Sequence, residues 1–447
     1  MIYDTAFVGA GPASLAAALQ LSAVAGRRKI AIFDAGVTGA ARCACPGLKN
    51  ATCTSCAGEH CHVTMGLGGA SATFGNKHCS FPASSGVLAL MPTGLRTKVL
   101  NAVSESLGMP LSFGHSASAE NRKEYEANIV YRRQYMALME AMSQSLPHDV
   151  NVTLGSEIAR VDKSDDGIFS LVCSDGTHFR THQLVLGVGR SGHKFLRRIL
   201  SDLGVAYDEP AADVGFRLEV NTDDIDDQFL YQVDPKYKFD HAGMGTSRTF
   251  CTCIGGQIVP VKFGEGFYAD GAFLNAPTSR TNIAFMARSN IPFRIDDLEN
   301  WCASVNRANG STLRLGCNIE VGGDANGVEK VMSVVGPQPS ATHAAIISEL
   351  LHHTLGGTTA PLLKSGRIAS VNIYGPAIDA FWPLPHVMKN FRTECDGLSI
   401  IGDAVGASRG IVQAIASGIA WALAETGSLS LPASSTQPET QPAEAIL

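Results

Sequence analysis

Residues 1–26 read MIYDTAFVGAGPASLAAALQLSAVAG, and this stretch decides the fold. Ile2 to Val8 is an apolar run of strand length. Gly9-Ala-Gly11-Pro-Ala-Ser14 follows and runs into an Ala/Leu-rich helix. Strand, glycine turn and helix in this order form a phosphate cradle. Gly9 permits the tight turn, Gly11 lets backbone approach a pyrophosphate, and the helix N-terminus offers it N–H groups. Ser14 stands where the third glycine of a dinucleotide fingerprint usually lies, and is small enough for helix and strand to pack closely. The next strand, in RKIAIFDAG, ends at Asp34, 23 residues after Gly11. A carboxylate there accepts hydrogen bonds from ribose hydroxyls. The competing reading is a βαβ turn without a ligand.

The far end of the chain chooses between dinucleotides. Residues 396–424 read DGLSIIGDAVGASRGIVQAIASGIAWALA. Leu398 to Ile401 is a short apolar strand, Gly402-Asp403 closes it, and a long Ala/Ile helix follows. In flavoproteins such an acid meets the ribityl chain, and the positive helix end stabilises a reduced, anionic flavin. An enzyme with a single NAD unit has no use for this element. Between the two ends, Gly187-Val-Gly189-Arg-Ser-Gly192 repeats a formal GxGxxG after a strand. It reads either as an NAD(P)H site or as the turn where the chain returns to the first cofactor. The hairpin turns Asp165-Asp166-Gly167 and Asp175-Gly176 just upstream favour the return.

The chain is similar to the "FAD-dependent dehydrogenase" family of bacterial flavoproteins, which share the glutathione-reductase-like FAD fold. The resemblance rests on GAGPAS at 9–14, GLGGAS at 66–71, VLGVGRSG at 185–192, VGFRLEV at 214–220, RTFCTCIGG at 248–256 and GDAVGASRGIVQAIASG at 402–418. RTFCTCIGG and SRGIVQA are the specific pieces. The family often carries Ser-Asp-Gly-Lys after GxGGA; here Ala72-Thr-Phe-Gly-Asn-Lys77 keeps only the lysine. The resemblance implies FAD, held by Gly9, Gly11, Ser14, Asp34, Ala35 and Arg42 near the first turn. It adds Gly68, Gly69, Ala70, Ile158, Gly187 and Gly189 from the middle, and Gly402, Asp403, Arg409, Gly410 and Ile411 from the end.

The expected fold is α/β. A Rossmann-type FAD domain, split in sequence, is built from 1–209 and 396–425, with a mainly helical excursion at 86–148. A second, α+β substrate or cap domain spans 210–395. The runs VGFRLEVN, QIVPVKFG, TNIAFMAR and RIASVNIYG supply its strands, and ATHAAIISELLHHTL a helix. The Ser/Pro/Glu-rich end, 426–447, reads as a disordered tail.

Composition sets the wider bounds. The chain has 447 residues, 45% hydrophobic and 17% charged, with net charge −6, which gives no general attraction to nucleic acid. No apolar run is long enough to span a bilayer, and ASLAAALQLSAVAG lacks the basic start of a signal peptide. The expected location is the cytoplasm, where thiols stay reduced.

Twelve cysteines in such a chain point to metal, catalysis or burial. Six lie in 42–79, spaced Cys43-x-Cys45-x7-Cys53-x2-Cys56-x4-Cys61-x17-Cys79. Cys-x2-Cys fits a zinc chelate of Cys53, Cys56, Cys61 and Cys45, with His62 or Cys79 as substitutes. An iron–sulfur cluster, a redox dithiol and plain reduced thiols stay open beside it. Cys251 and Cys253, alternating on one predicted strand, and Arg409 are the catalytic candidates; His241, Lys262 and His386 are polar candidates at pocket edges.

The leading functional expectation is an FAD-dependent oxidoreductase taking a hydride from a small organic substrate onto flavin N5. The alternatives are a thiol/disulfide or NAD(P)H-linked flavin reductase, and a flavin- or zinc-containing sensor without turnover.

Overall fold

The computed structural model describes residues 2–427, except 25–27, 43–44, 46–47, 49–52, 55, 57–59, 82, 85, 112–120 and 358. Cys43 and the tail from 428 onward therefore lie outside the described residues.

Five parallel strands form the first layer, in the order Val150–Leu154, Ile30–Asp34, Ile2–Val8, His178–Leu186, Leu398–Ile400. Ala6, Phe7, Ile30, Ile32, Val185 and Ile400 have no exposed surface, as strands covered on both faces require. Register brings the strand ends level: Val8 faces Phe33 and Leu186, and Leu186 faces Ile400. One edge of His178–Leu186 is shared. Its first half pairs antiparallel with Phe169–Cys173, its last with Leu398–Ile400. The chain thus leaves through the Ile158–Lys163 and Phe169–Cys173 hairpin and returns to the same sheet.

Helices Pro12–Val24 and Ile411–Glu425 cross on this sheet. Gly418 permits the approach, since a Cβ there would stand 2.1 Å from the Ala13 carbonyl oxygen. The excursion holds helices Val87–Leu90, Arg96–Leu107 and Arg132–Gln144, and the strand Ala127–Val130, which pairs with Asn76–Cys79.

The second layer is a six-stranded antiparallel sheet. Its order is Lys238–His241, Gly245–Ile254, Arg280–Ser289, Asp213–Asn221, Ile368–Asp379, Arg314–Gly322. Alternation splits its faces. Phe216, Leu218, Val220, Ile283 and Phe285 bury against helices Ala325–Val335 and Ala341–Thr354. Asp213 and Arg217 turn the other way, Arg217 onto Asp270 of the strand Gly266–Ala272. Among the described residues no helix is long and apolar enough to cross a membrane.

Candidate functional site

The two layers enclose a cavity of about 1120 Å³. That exceeds the ~300–1,000 Å³ of an ordinary small-ligand pocket. It opens at the carboxyl ends of the parallel strands, where Gly9, Asp34, Gly187 and Gly402 line it. Ligands of open α/β sheets bind at this edge.

At one end the glycine turn is braced from below. The Asp34 carboxylate accepts hydrogen bonds from the Ala10 N–H at 2.7 Å and the Gly36 N–H at 2.8 Å. Gly9 has φ +104°, and a Cβ there would lie 2.6 Å from the Gly187 carbonyl oxygen, so the fold itself requires it. Gly11 differs. A Cβ on it would find nothing nearer than Gly187 O at 3.8 Å, yet Gly11 lines the cavity. Protein packing does not explain a bare Gly11; space reserved for a ligand does. The 66–70 loop lies alongside, with Gly68 N–H bonded to Ala10 O at 2.8 Å.

Most of the expected cofactor positions line this cavity: Gly9, Gly11, Asp34, Ala35, Gly68, Gly69, Ala70, Ile158, Gly187, Gly189, Gly402, Asp403, Arg409, Gly410 and Ile411. Ser14 and Arg42 do not. Ser14 is fully buried against Gly187, where a Cβ would stand 2.2 Å from the serine Oγ. Arg42, also fully buried, donates to the carbonyls of His62 at 3.1 Å, Leu67 at 2.7 Å and Gly69 at 2.6 Å. It shapes the glycine loop from behind.

At the other end, alternation aims Thr246, Arg248 and Phe250 of one strand into the cavity, beside Asp213 and Arg288. Arg248 pairs with Asp213, and with Asp379 at 2.9 Å; Arg288 Nε reaches Asp213 at 2.5 Å. Asp379 also meets Arg409 at 3.5 Å and Arg190 at 3.7 Å. Burial pushes the Asp379 carboxyl up, but Arg409, Arg248 and Arg190 outweigh it and hold it below the usual range. Asp403 behaves oppositely: burial dominates and pushes it up to about 6, against Arg190 and Arg409. Burial also lowers Arg409, whose nearest carboxylate is shared with the other arginines.

Lys77, on the cavity wall, bonds Asp234 Oδ1 at 2.5 Å and Thr252 O at 2.7 Å; Tyr125 donates to Asp234 Oδ2 at 2.5 Å. Burial opposes both charges of the pair, yet each keeps the other ionised: Lys77 lies above its usual range and Asp234 below. Eleven lysines and arginines and eight aspartates and glutamates stand among the described residues lining the cavity. Much of that basic excess lies at the rim, where Lys194, Arg198 and Lys238 are exposed.

Sequence reasoning missed Lys77–Asp234 and the Asp213, Arg190, Arg288 and Asp379 cluster. The available signal was ionisable residues inside apolar strand runs, as in DVGFRLEV. Of the polar candidates, Arg409 lines the cavity, while His241, Lys262 and His386 do not. His241 is buried between Glu349 and Ser247, and His386 pairs with Asp208 at 3.1 Å on the surface.

The zinc expectation finds no support among the described residues. Among the described residues no three of His, Cys, Asp and Glu gather as a metal site, and Cys45, Cys53, Cys56, Cys61, His62 and Cys79 are all described. Cys61 is instead buried with Leu48, Val63, Phe74, Tyr268 and Phe381, and Cys45 packs against the same cluster. Leu48, Cys61 and Val63 thereby dock on apolar side chains of the second layer. Cys79 lies on the cavity wall.

No family model and no curated protein matches this chain. Among solved structures, a putative FAD-containing monooxygenase from Photorhabdus luminescens subsp. laumondii aligns over 96% of this chain and 90% of its own, at 10% identity and TM-score 0.41. CtdE in complex with FAD and a substrate aligns over 96% and 82%, at 10% identity and TM-score 0.37. The Diels–Alderase PyrE3 aligns over 95% of this chain and 66% of its own, at 13% identity and TM-score 0.39. Likenesses this distant leave no site residue to carry over.

Proposed function

We propose that the protein is an FAD-dependent oxidoreductase that takes a hydride from a small organic anion. One observation carries the reading. A single cavity joins a phosphate cradle with a bare Gly11, a carboxylate at Asp34, and the Gly402–Asp403 turn ahead of the Ile411–Glu425 helix. In this reading 1–209 and 396–425 hold the cofactor, and 210–395 shapes the substrate end. FAD supplies the hydride acceptor, N5 of its ring.

The chain's own residues do the rest. Gly9 and Gly11 let backbone meet the pyrophosphate, and Asp34 fixes their turn while presenting its remaining lone pairs to the ribose. Arg409 and the N-terminus of Ile411–Glu425 line the cavity and would offer positive charge to a reduced, anionic flavin. Arg190, Arg217, Arg248, Arg288 and Arg409 outnumber the carboxylates Asp213, Asp270 and Asp379 that join them, and the surplus would favour an anionic substrate. The second sheet closes over the cavity and excludes water from the reacting atoms.

The test is direct. The purified protein should be yellow, release FAD on denaturation, and bleach anaerobically with one or more members of a panel of small carboxylic acids. Neutral analogues should act more slowly. A colourless protein that binds only NAD would overturn the proposal.

A further inference from the structure

We propose that Cys251 and Cys253 form a reversible dithiol–disulfide couple on the cavity wall, exchanging with small disulfides or thiols that enter the cavity. The proposal stands whether or not a flavin occupies the far end.

The backbone is bent to bring the two sulfurs together. In a regular strand, residues two apart are separated by about 6.6 Å, whereas bridged cysteines need Cβ atoms roughly 3.5–4.5 Å apart. The strand Gly245–Ile254 is not regular here. Phe250 faces Ala284 and Cys253 faces Asn282, so Cys251 and Thr252 together oppose Ile283 alone. This bulge puts Cys251 at φ +47°, a left-handed conformation that is costly for a side chain bearing a Cβ. The result is an Sγ–Sγ separation of 3.7 Å.

The surroundings are built for the pair. A Cβ on Gly271 would fall 2.5 Å from Cys253 Sγ, and one on Gly256 would fall 2.6 Å from Cys253 Cβ. Arg217 donates to Cys251 O at 3.2 Å, and Lys77 to Thr252 O at 2.7 Å, pinning the bulge from both sides. Burial of cysteines as small hydrophobes accounts for neither the bulge nor the cleared space.

Roles follow from access. Cys251 lines the cavity, whereas Cys253 has no exposed surface. Hydrogen bonding from Cys253, and then the charges of Lys77 and Arg217, lower the first ionisation of the pair, on Cys251; the second lies well above the usual thiol range. Cys251 thiolate attacks one sulfur of an incoming disulfide RSSR, the mixed disulfide forms, and RS⁻ leaves. Cys253 gives its proton to the departing thiolate and attacks the Cys251 sulfur. The internal disulfide forms and the second RS⁻ is released. Two electrons have passed from the protein thiols to RSSR, and the reverse sequence reduces the pair.

The experiment uses the protein as purified, equilibrated against mixtures of reduced and oxidised glutathione or of mercaptoethanol and hydroxyethyl disulfide. After acid quenching and alkylation, mass spectrometry reads the tryptic peptide 249–262. On the oxidising side it should lose both alkylation sites and two hydrogens, and regain them on the reducing side. Cys253→Ser should trap a mixed disulfide on Cys251, while Cys251→Ser should leave Cys253 reduced. Recovery of a fully alkylated wild-type peptide across all mixtures with both reagents overturns the proposal. So does a mixed disulfide that settles on Cys253 in preference to Cys251. If a variant fails to fold, the wild-type titration alone decides.

Discussion

Gly9 and Gly11 look alike in sequence, but the structure gives them different surroundings, and substitution should separate them. Replacing Gly9 by alanine forces a Cβ into φ +104° and to within 2.6 Å of Gly187 O and 2.9 Å of its carbonyl carbon. The left-handed backbone costs about 1–2 kcal/mol, and prising apart two strand ends adds about 1–3 kcal/mol. Together these consume a large part of the ~5–15 kcal/mol that holds a domain folded. Gly9→Ala should therefore lower Tm by roughly 5–15 °C even without flavin. Gly11→Ala meets nothing nearer than 3.8 Å, so the flavin-free protein should stay within about 0.5 kcal/mol of wild type. Its Cβ points instead into the space where a pyrophosphate would rest. FAD affinity should drop about tenfold or more, about 1.4 kcal/mol per decade. Thermal melts of flavin-stripped protein and flavin titration followed by quenching supply both numbers. A Gly11→Ala protein that retains full flavin affinity would refute the placement of the phosphates. A Gly9→Ala protein as stable as wild type would refute the packing argument.

NADH and NADPH should reduce the bound flavin slowly or not at all under anaerobic conditions, because His178–Leu186 joins the first sheet and its glycine turn borders the same cavity; rapid bleaching at micromolar concentrations would restore the reductase reading. Lys77→Met leaves Asp234 buried beside a lost partner and should cost about 3–5 kcal/mol. The double variant Lys77→Met/Asp234→Leu should recover much of that loss in Tm, and a double variant no better than the single one would mean the pair does not carry the effect. Asp403 is neutral in the folded protein up to about pH 6 but ionises near pH 3.9 when unfolded, so its penalty is absent below that range and grows as pH rises through it. In flavin-free protein Asp403→Asn should stabilise the fold at pH 8 by about 1–3 kcal/mol after allowing for partial solvent contact, read as a higher Tm, and leave Tm nearly unchanged near pH 4. A gap independent of pH would assign the effect to something other than ionisation.

The legible part of the fold was the part with local causes. The first strand, its glycine turn and the strand ending in Asp34 lie within 34 residues, and each is set by apolar runs and small residues. The return at 178–186 was readable because hairpin turns at Gly167 and Gly176 punctuate it. Pairings between distant segments were not readable. Asp213, Arg248, Arg288 and Asp379 lie 166 residues apart at the extremes, and nothing local announces that alternate positions of four strands meet in one cavity. The sequence also put Cys251 and Cys253 on one face of a regular strand, whereas a bulge is what brings their sulfurs together. The surroundings of the cysteine loop were not readable for a related reason. Spacing left an ion and plain reduced thiols equally open, and Cys61 meets apolar partners up to 320 residues further along the chain, including Phe381.

The charges of the cavity link these findings. Buried arginines are tolerated only where carboxylates or ligands balance them. Here Asp379 is divided among Arg190, Arg248 and Arg409, Asp213 between Arg248 and Arg288, and Asp270 between Arg190 and Arg217, so five guanidinium groups share three carboxylates. A fold selected for stability alone would not leave that surplus inside. An anionic substrate at one end and a reduced, negatively charged flavin at the other would each supply a missing countercharge. In the proposed reaction turnover would remove and restore the flavin's charge, so the affinity for an anionic substrate and the charge of the flavin would be coupled through Arg409 and Asp403. Substrate analogues bearing a carboxylate should accordingly bind the oxidised protein more tightly than the reduced one.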